Sequence, residues 1–367
     1  MRAALAMIAP MAIGACRHAA PTEHIATPPE GIAMAFYRAG TQSYTVVDDR
    51  RSVEVRGGQL LLDHIDPGAA LPSLVIEPLS GPALSVGQCD RDHETVISPV
   101  VRCTAASGGD GKRLIRVLYV SSALAYTAQH TVEMTAADRA TLATTFAIAT
   151  PAWGGRADAV LFEGLPGGDK PPVELARGSL SLDGSTTVLG AAPRQVPARI
   201  RRVFDGATRT GVGDSTDPSW GKDSVHAVWV WLELDGVTLS PGATHAHLAI
   251  PGEPERDIDV PAAGREHTAA GTRLPLWIDD QLRGLRTRTV VNADGASLAD
   301  RLTFSVSNLG ADPREVWIEE RLRTAKRVTL KTGWPAKPTQ TADVVRTKVI
   351  VKGPGVERLG FTIEYVF

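Results

Sequence analysis

"RTKVIVKGPGVERLGFTIEYVF", residues 346–367, decides the fold class. Thr347, Val349 and Val351 share one face of an extended chain, and a Gly-Pro-Gly turn follows. Leu359, Phe361, Ile363, Tyr365 and Phe367 then face one way, leaving Gly360, Thr362, Glu364 and Val366 on the other side. Alternation with a period of two marks antiparallel strands with one buried face. The same rhythm recurs upstream. "RSVEVRGGQLLLD" (51–63) sets Val53 and Val55 on one face, turns at Gly57 and Gly58 and resumes at Leu60, as a hairpin would. "VHAVWVWLELDG" (225–236) alternates Val225, Ala227, Trp229, Trp231 and Glu233 against His226, Val228, Val230, Leu232 and Leu234. That pattern predicts a strand covered on both faces.

Helical periodicity is nearly absent. "TAADRATLA" (135–143) offers capping residues at Thr135 and Asp138 but no apolar stripe after them, so a turn is expected there. With 35 glycines and 25 prolines breaking the apolar runs at short intervals, the chain reads as all-β, built of antiparallel β-sandwich modules.

The first residues, "MRAALAMIAPMAIGAC", carry a positive charge at Arg2 and an apolar run over 3–15 too short to span a bilayer, which needs roughly 20 residues. Residues 1–15 therefore read as a signal peptide. Ile13, Gly14, Ala15 and Cys16 resemble the lipobox of bacterial lipoproteins. The resemblance implies cleavage before Cys16 and acylation of its thiol and new amine, and several acyl chains hold a protein durably on a membrane. An ordinary signal cut near Ala19 or Ala20 is the alternative. Residues 16–31 hold three prolines and no hydrophobic periodicity, so a flexible tether is expected. Arg17, in place of Asp, favours delivery to the outer membrane by the same resemblance.

The 367-residue chain exceeds the roughly 250–300 residues that one core usually supports. An N-terminal β domain over 32–112 and a second β region over 113–367 are expected. A net charge of −2 with 22% charged residues leaves no basic stripe, which argues against nucleic acid as a partner. No later apolar run reaches 18 residues, predicting a soluble body outside the cytoplasm. Three cysteines become an even pair once Cys16 is acylated, so Cys89 and Cys103 are expected to form a disulfide in that compartment.

"LIRVLYVSSALAYTAQHTVEM" (114–134), "ATLATTFAIATPAWGGRADAVLFEG" (140–164) and the C-terminal stretch from Arg314 to Phe367 resemble the domain of unknown function of mucoidy-inhibitor-A-like bacterial proteins. The likeness covers roughly residues 113 to 367. It implies an all-β fold and envelope association, and it carries no established reaction.

Candidate chemistry is sparse. His245 and His247 in "THAHLAI" share a strand face, and Glu253, Glu255, Asp257 and Asp259 follow nearby; a solvated face without a metal is the expectation. Asp214 and Asp217 lack the spacing of a calcium loop. "SGGDGKR" (107–113) fails as a phosphate loop because Ala106 and Arg113 stand where Gly and Ser or Thr belong; a hairpin turn is expected. No Gly-x-Ser-x-Gly elbow occurs. Trp229, Trp231, Trp277, Trp317 and Trp334 are expected to be mostly core, with a sugar-binding groove as the alternative. Arg314, Glu315, Glu319, Glu320, Arg321 and Arg323 are expected to form a solvated strand face with cross-strand pairs. No catalytic residue, cofactor or metal is expected. The expected role is a lipid-anchored binding or interaction module whose partners are the membrane, through its lipid, and an envelope protein or glycan. A carbohydrate- or peptide-binding lipoprotein is the alternative, and an envelope hydrolase a more distant one.

Overall fold

A computed structural model describes residues 30–80, 83–92, 100–205, 226–251, 253–331, 338–341 and 343–367. Cys16, the expected signal and most of the tether lie outside these residues, as do Asp214, Asp217 and Trp334. The described residues form strands and two single-turn 3-10 segments, with no α-helix among them, so the all-β reading holds.

The C-terminal stretch behaves as its alternation requires. Val344–Val351 buries Val345, Thr347 and Val351, and Gly355–Val366 buries Leu359, Phe361, Ile363 and Tyr365. The two strands do not pair with each other. Val344–Val351 lies antiparallel to Arg314–Arg321, whereas Gly355–Val366 lies antiparallel to Ser297–Asn308.

Two turns expected to close hairpins also pass the chain from one sheet to another. Gln42–Val55 belongs to a six-stranded sheet with the order Val173–Ser181, Arg156–Glu163, Gly31–Ala39, Gln42–Val55, Gly111–Ser121 and Val75–Ser80. Past Gly57 and Gly58 the chain keeps only the Arg56–Gln59 bridge before Gln59–Leu62 joins a three-stranded sheet with Val100–Ser107 and Ser85–Asp92. The turn at Gly108–Asp110 leads back from that small sheet to the large one. Gly108 has φ +117° and a Cβ there would meet the Ala83 carbonyl oxygen at 2.1 Å, so no side chain fits. Arg113 fastens the turn by donating to the carbonyls of Ala83 (2.8 Å), Gly108 (2.5 Å) and Gly109 (2.6 Å). The residue that spoils the phosphate-loop pattern is thus a turn clamp. The expected boundary at 112/113 falls inside Gly111–Ser121, whose partners are Gln42–Val55 and Val75–Ser80, so the first core draws on both sides of it. In the small sheet Cys89 stands directly opposite Cys103, with Cα atoms 4.1 Å apart and the sulfurs bonded.

A third, 14-stranded sheet runs from the edge strand Arg256–Val260 through Gly242–Leu248, Tyr126–Ala136 and Arg139–Ala149 to Thr186–Asp205 and Ala227–Asp235. It continues through Gly271–Ala293, Ser297–Asn308 and Gly355–Val366 to Arg327–Leu330. Ala137–Asp138 forms the turn between two of these strands, as "TAADRATLA" suggested.

Two of the strands are long, 20 residues for Thr186–Asp205 and 23 for Gly271–Ala293; the first gives Leu189 to the first core, Val196 and Ala198 to the second and Phe204 to the third, and the other gives Leu274 and Leu282 to the last two. Register shifts between Ala191 and Arg194 and between Val230 and Trp231 fall beside Pro193 and Pro275, residues that cannot donate to a ladder. One core gathers Val132, Met134, Leu142, Val230, Leu232 and Leu274; the next gathers Phe204, Val228, Phe304, Val316, Phe361 and Tyr365. At the junction Phe204 packs so closely over Gly284 that a Cβ there would lie 2.2 Å from the ring.

Candidate functional site

Ala227–Asp235 sorts its side chains by parity. Val228, Val230, Leu232 and Leu234 enter the cores with at most 1% exposure. The opposite face carries Trp229, Trp231 and Glu233, and the pairing register sets other residues beside them. Trp229 stands opposite Ile278 and Val203, Val203 opposite Trp317, and Trp231 opposite Arg201 and Pro275. Trp229 is 39% exposed and Ile278 49%, while Trp231 and Trp317 are half-buried. The Trp229 and Trp231 ring centres lie 6.5 Å apart. The Arg201 guanidinium covers Trp317 at 4.2 Å and that of Arg273 covers Trp231 at 4.8 Å, contacts in which a cation meets the negative face of an indole.

Beyond the rings the face becomes ionic. Arg273, only 4% exposed, donates from Nη1 to Glu319 (3.1 Å) and lies close to Glu233 (3.3 Å) and Glu266 (3.4 Å). Arg346 pairs with Glu319 at 2.8 Å, Arg321 with Glu266 at 2.9 Å and Arg201 with Glu233 at 3.1 Å. Burial pushes the Glu319 carboxyl above its usual range, against the pull of Arg273 and Arg346. Burial also lowers the Arg201 guanidinium from its ordinary value, with Glu233 opposing it.

A cleft of about 1240 Å³, counting its open mouth, lies against this lattice. Glu266, Thr268, Arg273, Arg321, Asp343 and Arg346 contribute to its walls. Arg273 Nε and Nη2 are buried there and make no hydrogen bond to any described residue, so the wall holds donors left without an acceptor. The cleft therefore offers guanidinium and hydroxyl donors and carboxylate acceptors, and on the same sheet face Arg273 covers Trp231, next to which stands the exposed Trp229 ring. Such groups are able to pair with polar and charged groups, and an indole face with a flat apolar surface.

Several expectations meet here and others part. Trp229, Trp231 and Trp317 come together, whereas Trp277 stands opposite Val230 and faces the other way. The charge run keeps cross-strand pairs, Glu315 with Lys348 and Glu319 with Arg346, but only part of it is solvated: Glu315 is exposed and Arg314 and Arg321 are half-buried. Glu319, Glu320 and Arg323 are 2–3% exposed, because one parity enters the ionic lattice and the other enters the last core. In that core Arg286 holds Glu320 with two bonds of 2.7 Å, and burial raises the Glu320 carboxyl. The residues missed from sequence are Arg273, Arg346 and Glu266; the one available signal was Glu233, a lone acid in the apolar run "VWLEL".

His245 and His247 pair across strands with the acids named beside them. His245 lies 2.9 Å from Asp259 and 3.2 Å from Asp257, and His247 lies 2.9 Å from Asp257. Hydrogen bonds to Asp259 and Asp257, respectively, are the main causes that raise the two imidazoles above their ordinary value. Among the described residues no group of three or more His, Cys, Asp or Glu side chains is arranged to hold a metal ion, and no helix is long and apolar enough to cross a membrane.

No protein-family model matches the chain, and no curated protein matches it either. The likeness to the mucoidy-inhibitor-A-like domain thus rests on the quoted residues alone.

Proposed function

We propose that this chain is a lipid-anchored envelope protein whose β-sandwich modules bind or organise another envelope component, with no reaction of its own. Cys16 attaches the body to the membrane, and outer-membrane delivery through Arg17 and the mucoidy-inhibitor-A-like relationship belong to the same proposal. The single observation that carries the binding role is the cleft of Glu266, Arg273, Arg321 and Arg346 beside the Trp229–Trp231 face. An open cleft lined with fixed charges and flanked by an indole suits a ligand rich in hydroxyl, amide or carboxylate groups. Within this class a glycan is favoured over a peptide by Trp229, whose exposed ring offers the flat surface on which the apolar face of a sugar stacks.

The test uses glycan fragments released from the host envelope, titrated against the full chain carrying Cys16→Ser. Saturable binding is expected, weakened about tenfold or more by Trp229→Ala, the loss of one ring contact together with its apolar area. Binding that is absent, or that ignores Trp229→Ala and Arg346→Ala alike, contradicts the reading. For the anchor, mass analysis of the native protein is expected to find an acylated peptide starting at Cys16, and an unmodified N-terminus beyond residue 16 rejects it.

A further inference from the structure

The other face of the same strands ends in a second opening. From Arg256–Val260 to Gly271–Ala293 the large sheet wraps the core of Val132, Leu232 and Leu274, and its edge strand Arg256–Val260 comes into contact with Gly271–Ala293. At one end of this barrel-like wrap lies a cleft of about 680 Å³, counting its mouth. Its floor is apolar: Met134 and Leu248 belong to the core, and Ile200, Ile250 and Trp277 pack against it. Barrel mouths of this kind are common sites for small ligands, because the strands supply a preformed apolar interior that the last turn leaves uncovered.

The rim is charged. Arg256 is exposed, its guanidinium 4.5 Å over the Trp277 ring, and no described carboxylate lies in ion-pair range of it. Arg202 is held from below by one bond from Nε to Asp279 Oδ2 at 2.9 Å, which leaves its terminal nitrogens available. Glu253 is the one acid on the rim, and it is exposed to water. An apolar floor beneath two guanidinium groups, one without a counter-ion, matches a molecule with an aliphatic body and an anionic end. Planar guanidinium pairs best with a planar carboxylate.

We propose that this barrel-end cleft binds a single-chain aliphatic carboxylate, its chain lying on Met134, Ile200, Leu248 and Trp277 and its carboxylate between Arg256 and Arg202. This site is separate from the Trp229 face, so either can fail alone.

Dodecanoate is the probe, titrated without detergent into the full chain carrying Cys16→Ser and followed by calorimetry and indole fluorescence. Saturable binding is expected. Arg256→Glu should weaken it about tenfold to a hundredfold, the range for one charge-assisted hydrogen bond. Dodecyltrimethylammonium should bind at least about tenfold more weakly than dodecanoate for the same reason. Ala137→Trp, a substitution at an exposed position of the cleft wall, should abolish binding by filling the mouth, whereas Trp229→Ala should leave it unchanged. No saturable binding, equal binding of the cation, or indifference to both Arg256→Glu and Ala137→Trp overturns the proposal. Loss of dodecanoate binding with Trp229→Ala overturns it as well, because the chain would then lie on the other face.

Discussion

Along Ala227–Asp235, adjacent residues meet opposite surroundings. Leu232 is fully buried among aliphatic side chains, while Trp231 beside it lies beneath an arginine and Glu233 sits among three. One parity supplies hydrophobic burial, and the other builds a polar surface whose charges are largely paired with one another. The difference teaches that the polar face is also part of the fold, and that Trp229 and Ile278 at its outer edge, which carry no charge to pair, stand exposed beside the ionic cleft.

The largest effect expected from breaking this comparison is at Glu319. Glu319→Gln takes from Arg273 and Arg346 the nearer of the two carboxylates they share, leaving Glu233, and a loss of about 3–5 kcal/mol is expected in denaturant unfolding. A change below about 1 kcal/mol would mean that the lattice is wet and loosely held. On the apolar face Leu232→Ala should cost about 3 kcal/mol, from lost burial plus the cavity left behind. Trp229→Ala should cost less than about 1 kcal/mol, since much of the ring already meets water. Equal losses at Leu232 and Trp229 would erase the distinction between the faces.

These strands show how far the sequence was legible. Alternation revealed which residues share a face, and it did so for Val344–Val351, Gly355–Val366 and Ala227–Asp235. It could not reveal partners. The turns at Gly57-Gly58, Gly108–Asp110 and Gly353–Gly355 carry hairpin residues, yet each sends the chain to strands distant in sequence, since turn chemistry fixes local direction and not the next neighbour. For the same reason Glu319 and Glu320 looked solvated: their buried side-chain partners, Arg273 and Arg286, are contributed by a strand about 40 residues away. The disulfide was legible because it needed only a count and a compartment.

An effect between those of Leu232→Ala and Trp229→Ala is expected at that disulfide, which ties the three-stranded sheet beside the first core. Cys89→Ser with Cys103→Ser should cost about 2–3 kcal/mol, given the 14-residue separation that the bond closes. Unchanged stability under reducing conditions would show that the small sheet is held by Val101, Leu60 and Leu62 alone.

The smallest effect belongs to His245 and His247. Their folded values are raised above the unfolded value of about 6.5, so their contribution is fully present below that pH and is lost as pH rises through the higher folded values. Glu133, Glu255, Asp257 and Asp259 are the acids that face them. The native chain should therefore melt slightly above the His245→Asn, His247→Asn variant at mildly acid pH and equal it well into the alkaline range. A difference that grows with pH would reverse the assigned cause.

The most direct measurement of the central claim is photo-crosslinking in the native envelope, with benzoylphenylalanine placed at Ala269, an exposed residue of the ionic cleft, and at Lys170, an exposed residue far from it in sequence. The account predicts one saturable adduct from Ala269, lost when Trp229→Ala is added, and none from Lys170. Equal adducts from both positions, or an Ala269 adduct that survives Trp229→Ala, would contradict it.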